Sequence, residues 1–184
     1  IIKMYFKKLQ GENIFLSPIS TDEAEKYTEW MNDLDLTEMI GGSNNVISLE
    51  KQKKWIESQS LNNGYCFSII KKDTDELIGS CTLFKVNLIN KVADLGIYIG
   101  EKKERHKGYG TEAINLILHY AFNYLNLENI MLTVLESNKE AISCYEKIGF
   151  KLIGKRRNAY TVCNKNINIA YMDILKNEFK YKAD

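Results

Sequence analysis

Two kinds of hydrophobic periodicity divide this chain. "IFLSPIS" (14–20) alternates apolar and polar positions as a strand does, and it ends in Ser20 or Thr21, residues suited to cap a helix over "DEAEKYTEWMND". "NDLDLTEMIGGSNN" (32–45) carries no clean period and reads as a loop or broken helix. "SLEKQKKWIESQ" (48–59) reads as a second helix, with Ser48 in the capping position and Lys51 where a glutamate would be ideal. Three strand-like runs follow, at 65–72, 77–87 and 91–100, and their connectors "DTDE" and "LIN" are short enough only for antiparallel hairpins.

The period then changes. In "TEAINLILHYAFNYLN" (111–126), Ala113, Ile114, Ile117, Leu118, Ala121 and Leu125 recur at helical spacing and form one apolar stripe. The strand "NIMLTVLE" (129–136) comes next, followed by a helix from "SNKEAISCYEKIGF". Ser137 and Glu140 have the spacing of a capping box there, and Gly149 is placed to end the helix. Two strands, about 150–160 and 167–175, close the chain around the turn "CNKN". Strands 91–100 and 129–136 are joined through a helix and should be parallel. The pattern predicts an α+β (mixed α/β) fold, a mixed sheet flanked by helices on both faces.

Composition narrows the function without naming it. The 184 residues suit a single domain, 1–184, with its core at about 14–176. Twenty-five Lys and Arg against 24 Asp and Glu leave a net charge of +1, which argues against a nucleic-acid partner. No apolar run approaches the roughly 18 residues of a membrane span, and lysines interrupt the N-terminal segment too early for a signal peptide. Cys66, Cys81, Cys144 and Cys163 show no CxxC pairing, and with only His106 and His119 beside them no zinc-ligand spacing arises. Reduced thiols, a cytoplasmic location and no metal are the expectations.

The chemistry concentrates at "RHKGYGTEAI" (105–114), a glycine-containing turn that opens a helix and so suits a phosphate. A nucleotide-triphosphate loop needs a lysine and a Ser or Thr directly after its last glycine; Gly110 is followed by Thr111 and Glu112, so that reading fails. Gly108, Gly110 and Ala113 do satisfy the spacing of a dinucleotide fingerprint. That motif, however, turns tightly off its strand, whereas "EKKERHK" separates Gly100 from Gly108, and an antiparallel meander precedes it. A third reading is a loop that wraps a pyrophosphate with successive backbone N–H groups, with Arg105 or Lys107 adding charge.

Arg105-x-x-Gly108-x-Gly110 resembles the acyl-CoA loop, [QR]-x-x-G-x-[GA], of the GNAT superfamily of N-acetyltransferases. "SNKEAISCYEKIGF" is similar to that superfamily's second signature: an Asn, an Ala, a Tyr and a closing Gly-Phe. The run from 91 to 157 looks like the branch holding ribosomal-protein and spermidine acetyltransferases. The resemblance implies the GNAT fold, with a splayed parallel pair of strands, and transfer of the acetyl group of acetyl-CoA to a primary amine. A polyamine or amino sugar is the first acceptor class and a protein N-terminus the second. A CoA-binding regulator that has lost turnover is the alternative of another class. Many members are dimers, so a homodimer is also implied, though no stretch specifies its interface.

The same resemblance assigns residues. Ile97, Tyr98 and Ile99 would pair their backbone with the pantetheine arm, and the amides from Arg105 through His106, Lys107, Gly108, Tyr109 and Gly110 to Thr111 would take the pyrophosphate. Asn138 would bind the cofactor, with Ala141 giving room, and Tyr145 would protonate the departing thiolate. Asn138 and Tyr145 lie seven apart, two helical turns, on one face. Two readings of Asp94 stand side by side: a base acting through water, or a strand aspartate paired with a nearby lysine. Asp33, Asp35 and Glu38 also have two readings: recognition of a cationic acceptor, or a solvated loop with a few charges. His106 is expected to line the phosphate loop, His119 to lie off the apolar stripe, and Cys144 to face away from Tyr145 and pack.

Overall fold

The computed structural model describes residues 4–61 and 64–181; the ends of the expected 1–184 domain, including the start of "IIKMYFKK", lie outside the described residues. The elements in chain order are β1 (Leu9–Gln10), β2 (Ile14–Pro18), α1 (Ala24–Asn32), α2 (Leu34–Ile40), α3 (Leu49–Leu61), β3 (Tyr65–Lys71), β4 (Leu77–Asn87) and β5 (Val92–Ile99). They continue with α4 (Tyr109–Asn123), β6 (Asn129–Leu135), α5 (Lys139–Ile148), β7 (Lys151–Val162) and β8 (Lys165–Leu175). The eight strands form one sheet in the order β1-β2-β3-β4-β5-β6-β8-β7. Every neighbouring pair is antiparallel except β5 and β6, which are parallel as the connecting helix requires.

Side-chain alternation sends the core to two faces. From β2, Ile14 and Leu16 join α4 and Phe67, Ile69 and Cys81 in one cluster, while Phe15 joins Tyr27, Trp30 and Ile56 of α1 and α3 in the other. The predicted stripe of α4 is buried at Ala113, Ile114, Ile117, Leu118 and Ala121, with Leu125 partly buried beyond the helix end. A carboxylate fixes how this helix meets the sheet: Glu112 accepts from the backbone N–H groups of Asn13 (2.9 Å) and Ile14 (3.2 Å). On the opposite face, buried Glu23 accepts from the Ser68 hydroxyl (2.6 Å), which also meets the Tyr27 hydroxyl at 2.8 Å. Paired in this way, a buried carboxylate is tolerated where a lone one would not be.

Three local expectations change. Segment 34–40 is a short helix, because Asp33 caps it through the Asp35 N–H (3.0 Å) and Gly41, at φ 86°, ends it. Helix α4 begins at Tyr109, two residues earlier than the apolar stripe indicates. The cap of α5 is Asn138 and not Ser137: its Oδ1 accepts from Ala141 N–H at 3.1 Å, which shifts the start by one residue and removes Glu140 from the position that closes a capping box.

One close approach couples the two faces. Gly100, just after β5, lies against the buried indole of Trp30, and a Cβ there would sit 2.1 Å from a ring atom. The rigid ring cannot give way as a flexible side-chain tip would. Gly100→Ala should therefore lower stability by about 1–3 kcal/mol, read as a lower urea midpoint with an unchanged slope.

Candidate active site

The parallel pair is formed only at its start. Val92, Ala93 and Asp94 pair with Asn129, Ile130 and Met131; beyond them β6 stays paired with β8 through Leu135, while β5 stays paired with β4 through Ile99. Each strand follows its outer partner, so the two part. The Lys91 carbonyl faces β6, accepting from Glu128 N–H at 2.7 Å, and Gly100 N–H faces β4, donating to Ile78 at 2.9 Å. Alternation between these two points turns the amides of Ile97 and Ile99 into the split and those of Tyr98 and Gly96 toward β4. The edge of β5 at Ile97 and Ile99 thus has no strand beside it among the described residues.

The loop from Gly100 leads to the mouth of this split. Arg105 does not stand free there: its Nε and Nη2 donate to the carbonyls of Ile99 and Gly100, each at 3.0 Å, folding the loop back onto the strand end. Lys107 is likewise engaged, 3.1 Å from Glu104, which is buried and lies 3.6 Å from Lys71. Burial alone would raise the Glu104 carboxyl, but Lys107 and Lys71 outweigh it and hold it below the ordinary glutamate range. Charge here builds the loop. What remains for an anion is backbone: His106 and Gly108 take left-handed φ of 62° and 86°, and Gly108 caps α4 with no side-chain hydrogen bond. The first intrahelical bond runs from Glu112 N–H to Gly108. The N–H groups of Tyr109, Gly110 and Thr111 therefore have no backbone acceptor, at the positive end of a fifteen-residue helix. A Cβ at Gly110 would meet nothing nearer than 3.9 Å, so a ligand can come close to this turn.

Helix α5 supplies the facing wall. Asn138, Ala141, Cys144 and Tyr145 all line the cavity. The Asn138 carboxamide is occupied at both ends, since its Nδ2 reaches the Met39 carbonyl at 3.4 Å while its oxygen caps the helix. Cys144 packs on α4: its sulfur lies 3.3 Å from the Thr111 hydroxyl, across the gap between the start of α4 and α5. His106 Nδ1 is 3.5 Å from Glu140 across the same gap. The Tyr145 ring packs on Phe150 at 5.9 Å, and burial raises its phenol well above the usual tyrosine value. The hydroxyl stays protonated at neutral pH and has no hydrogen-bond partner among the described residues.

The wall on the α1–α3 side of the sheet carries Asp94 and Tyr98. Asp94 Oδ2 is 2.8 Å from Lys85, so its lysine partner is real, yet the residue still lines the cavity. Tyr98 sits edge-on to Trp30 at 6.2 Å, and burial holds its phenol far above its ordinary range. Asp33, Asp35 and Glu38 do not line the cavity. Asp33 is spent as a helix cap and Asp35 pairs with Lys102 at 2.9 Å, which holds its carboxyl below the normal range. Their segment contributes Leu36, Met39, Ile40 and Gly41 to the cavity wall instead. The segments 32–45 and 158–169 meet where the Tyr160 hydroxyl lies 2.7 Å from the Ser43 hydroxyl. Tyr160, Trp55 and Phe84 also line the cavity, unassigned in the sequence because nothing near them forms a motif. Lys107 and Tyr109 contribute no lining side chain. His119 lies apart, stacked on Tyr181 at 4.2 Å. The cavity measures about 1600 Å³ and runs between the two walls through the split.

Comparison with known proteins agrees with this geometry. Residues 13–151 match the family model "Acetyltransferase (GNAT) domain". An N-acetyltransferase 9-like protein of Caenorhabditis briggsae is 29% identical over 79% of this chain and 78% of its own length. The N-acetyltransferase p20 of Bacillus licheniformis is 26% identical over 93% of this chain and 97% of its own. Among solved structures, spermidine N-acetyltransferase from Vibrio cholerae, in complex with CoA and spermine, superposes with a TM-score of 0.84 at 22% identity, covering 91% of this chain and 98% of that one. The microcin C7 self-immunity acetyltransferase MccE, in complex with acetyl-CoA and AMP, gives 0.77 at 18% identity over 90% and 93%. With the family model spanning both the split strands and the turn that opens α4, this chain belongs to the GNAT family of N-acetyltransferases.

Proposed function

We propose that the cleft binds acetyl-CoA and transfers its acetyl group directly to a primary amine. The observation that carries this is the uncapped start of α4, aimed at the mouth of the split between β5 and β6. A pyrophosphate would accept from the N–H groups of Gly108 through Thr111, and Gly110 leaves the room for it. A pantetheine arm carries amide groups spaced to bond the open edge of β5 at Ile97 and Ile99. Arg105 and Lys107 act through the loop they hold, and Asn138 by setting the start of α5.

Transfer forms an N–C bond and breaks an S–C bond; the amine gives up a proton and the thiolate gains one. A backbone N–H on the open edge of β5 is placed to stabilise the charge that develops on the thioester oxygen. Tyr145 supplies the proton to sulfur, and its burial keeps that proton in place across the neutral and mildly alkaline range. Asp94 takes the amine's proton through water, with Lys85 holding the carboxylate in position. Asp33, Asp35 and Glu38, one of whose readings was recognition of a cationic acceptor, give that role no support from their positions.

Four outcomes test this reading. CoA at 100 times its dissociation constant should stabilise the protein by about 2.7 kcal/mol in a thermal melt; NAD should not. Gly108→Ala, which forces a side chain into φ 86°, should weaken that shift. Tyr145→Phe should lower kcat by about a hundredfold while the acetyl-CoA Kd holds, and an equal loss of both would remove Tyr145 from the role of acid. Asp94→Asn should likewise lower kcat at neutral pH, with less loss as the pH rises and more of the amine arrives uncharged; unchanged kinetics would leave Asp94 only its pairing with Lys85.

A further inference from the structure

We infer that the acceptor is a primary amine borne on a bulky apolar group, with no second positive charge close to the reacting nitrogen. The inference rests on the acetyltransferase reading and specifies the acceptor end of the same cleft. On the wall that carries Asp94, Trp55 (37% exposed) and Phe84 (41%) line the cavity and yet remain open to solvent, and Met39 (37%) and Ile40 (39%) line it from α2, beside Asn138. Exposed apolar side chains scattered singly mean little, but four converging on one cavity form a contact surface that water solvates poorly. They come from three separate parts of the fold, α2, α3 and β4, and nothing in the described chain covers them.

Phe84 shows that this surface is shaped. Its ring lies over Gly96 of β5, where a Cβ would sit 2.4 Å from a ring carbon, so the strand has no side chain at the point where the aromatic ring crosses it. The ring is held between Asp94 and Tyr98 in the strand sequence, beside the carboxylate proposed to take the proton.

Charge on the same wall points the same way. Asp94 is the acidic side chain that lines it, and Lys85 already neutralises that carboxylate at 2.8 Å. Lys51, one helical turn before Trp55, adds a second ammonium to the lining. Glu140, the other acidic lining residue, stands at the phosphate end against His106. A polyamine would bring its further ammonium groups against Lys85 and Lys51, with no spare carboxylate to receive them. An amine with a single charge and an apolar body meets no such repulsion and covers the exposed rings. Small arylalkylamines and peptide N-termini that begin with a large apolar residue share this chemistry.

The test compares kcat/KM for phenethylamine, tryptamine and C-terminally amidated tetrapeptides beginning with Phe or Leu against spermidine and glucosamine, with acetyl-CoA saturating. At least one apolar monoamine or apolar peptide should exceed spermidine and glucosamine by about tenfold or more, the order a well-placed apolar contact yields. The amine and peptide arms then tell which source of this chemistry the cleft takes. Trp55→Ala and, separately, Phe84→Ala should erase most of that preference by raising KM for the apolar acceptors, with the acetyl-CoA Kd retained. A parallel titration of the CoA-bound protein, read by tryptophan fluorescence, should show phenethylamine binding more tightly than spermidine whether or not turnover occurs. Preference for spermidine or glucosamine, or variants whose selectivity is unchanged, overturns the inference while leaving the transferase reading intact. Failure to bind CoA at all overturns the transferase reading itself.

Discussion

Past Asp94, strand β5 has a hydrogen-bonding neighbour on one side only. A backbone amide left without a partner away from water costs about 1–3 kcal/mol, so a sheet does not part in its middle without compensation. Here β4 holds one side of β5 through Ile99, and β8 holds the far side of β6 through Leu135. The two halves of the sheet can therefore diverge while each keeps a full outer ladder. The N–H groups of Ile97 and Ile99 face the resulting gap, where an extended ligand with amide groups of its own could pair with them. The cavity, the loop and both helical walls are arranged around that gap.

The loop from Gly100 to Thr111 applies the same logic at a helix end. Its basic residues look in sequence like an anion-binding patch, yet Arg105 and Lys107 are consumed in holding the loop's shape, against strand carbonyls and against buried Glu104. An anion arriving at this turn would meet backbone N–H groups, which cannot rotate away and carry no side-chain entropy to lose. Trp30 connects this loop to the other face of the sheet, because its ring fills the space that a side chain at Gly100 would need. Packing on the α1–α3 face thus sets where the loop into α4 begins.

Much of the architecture was legible from period and turn chemistry. Short polar connectors forced the meander at 65–99 to be antiparallel, and the helix between 99 and 129 forced β5 and β6 to be parallel. The stripe from Ala113 to Ala121 was readable because a helix buried along one face repeats its apolar positions at 3.6 residues. The cap of α5 was not legible, since Ser137 and Asn138 are both good caps and only the preceding strand's exit decides which one takes the role. The contact of Cys144 was not legible for a related reason: its neighbour Thr111 belongs to a different helix, whose position the local sequence does not state. The acidic segment at 33–38 had two readings that the sequence does not separate. Charge can be counted in sequence, but Asp33 and Asp35 spend theirs on a cap and on Lys102, sixty-seven residues away.

The sequence by itself determined the elements, their pairing senses and the turn of Arg105, Gly108 and Gly110, because these follow from local backbone preference and from contacts between chain neighbours. It also carried the two signatures that mark the family. Only the tertiary structure decided where β5 leaves β6, which charges are paired, and that Met39, Ile40, Trp55 and Phe84 line one cavity. Those outcomes depend on side chains far apart in the chain meeting in space, and no local period records which of them will meet.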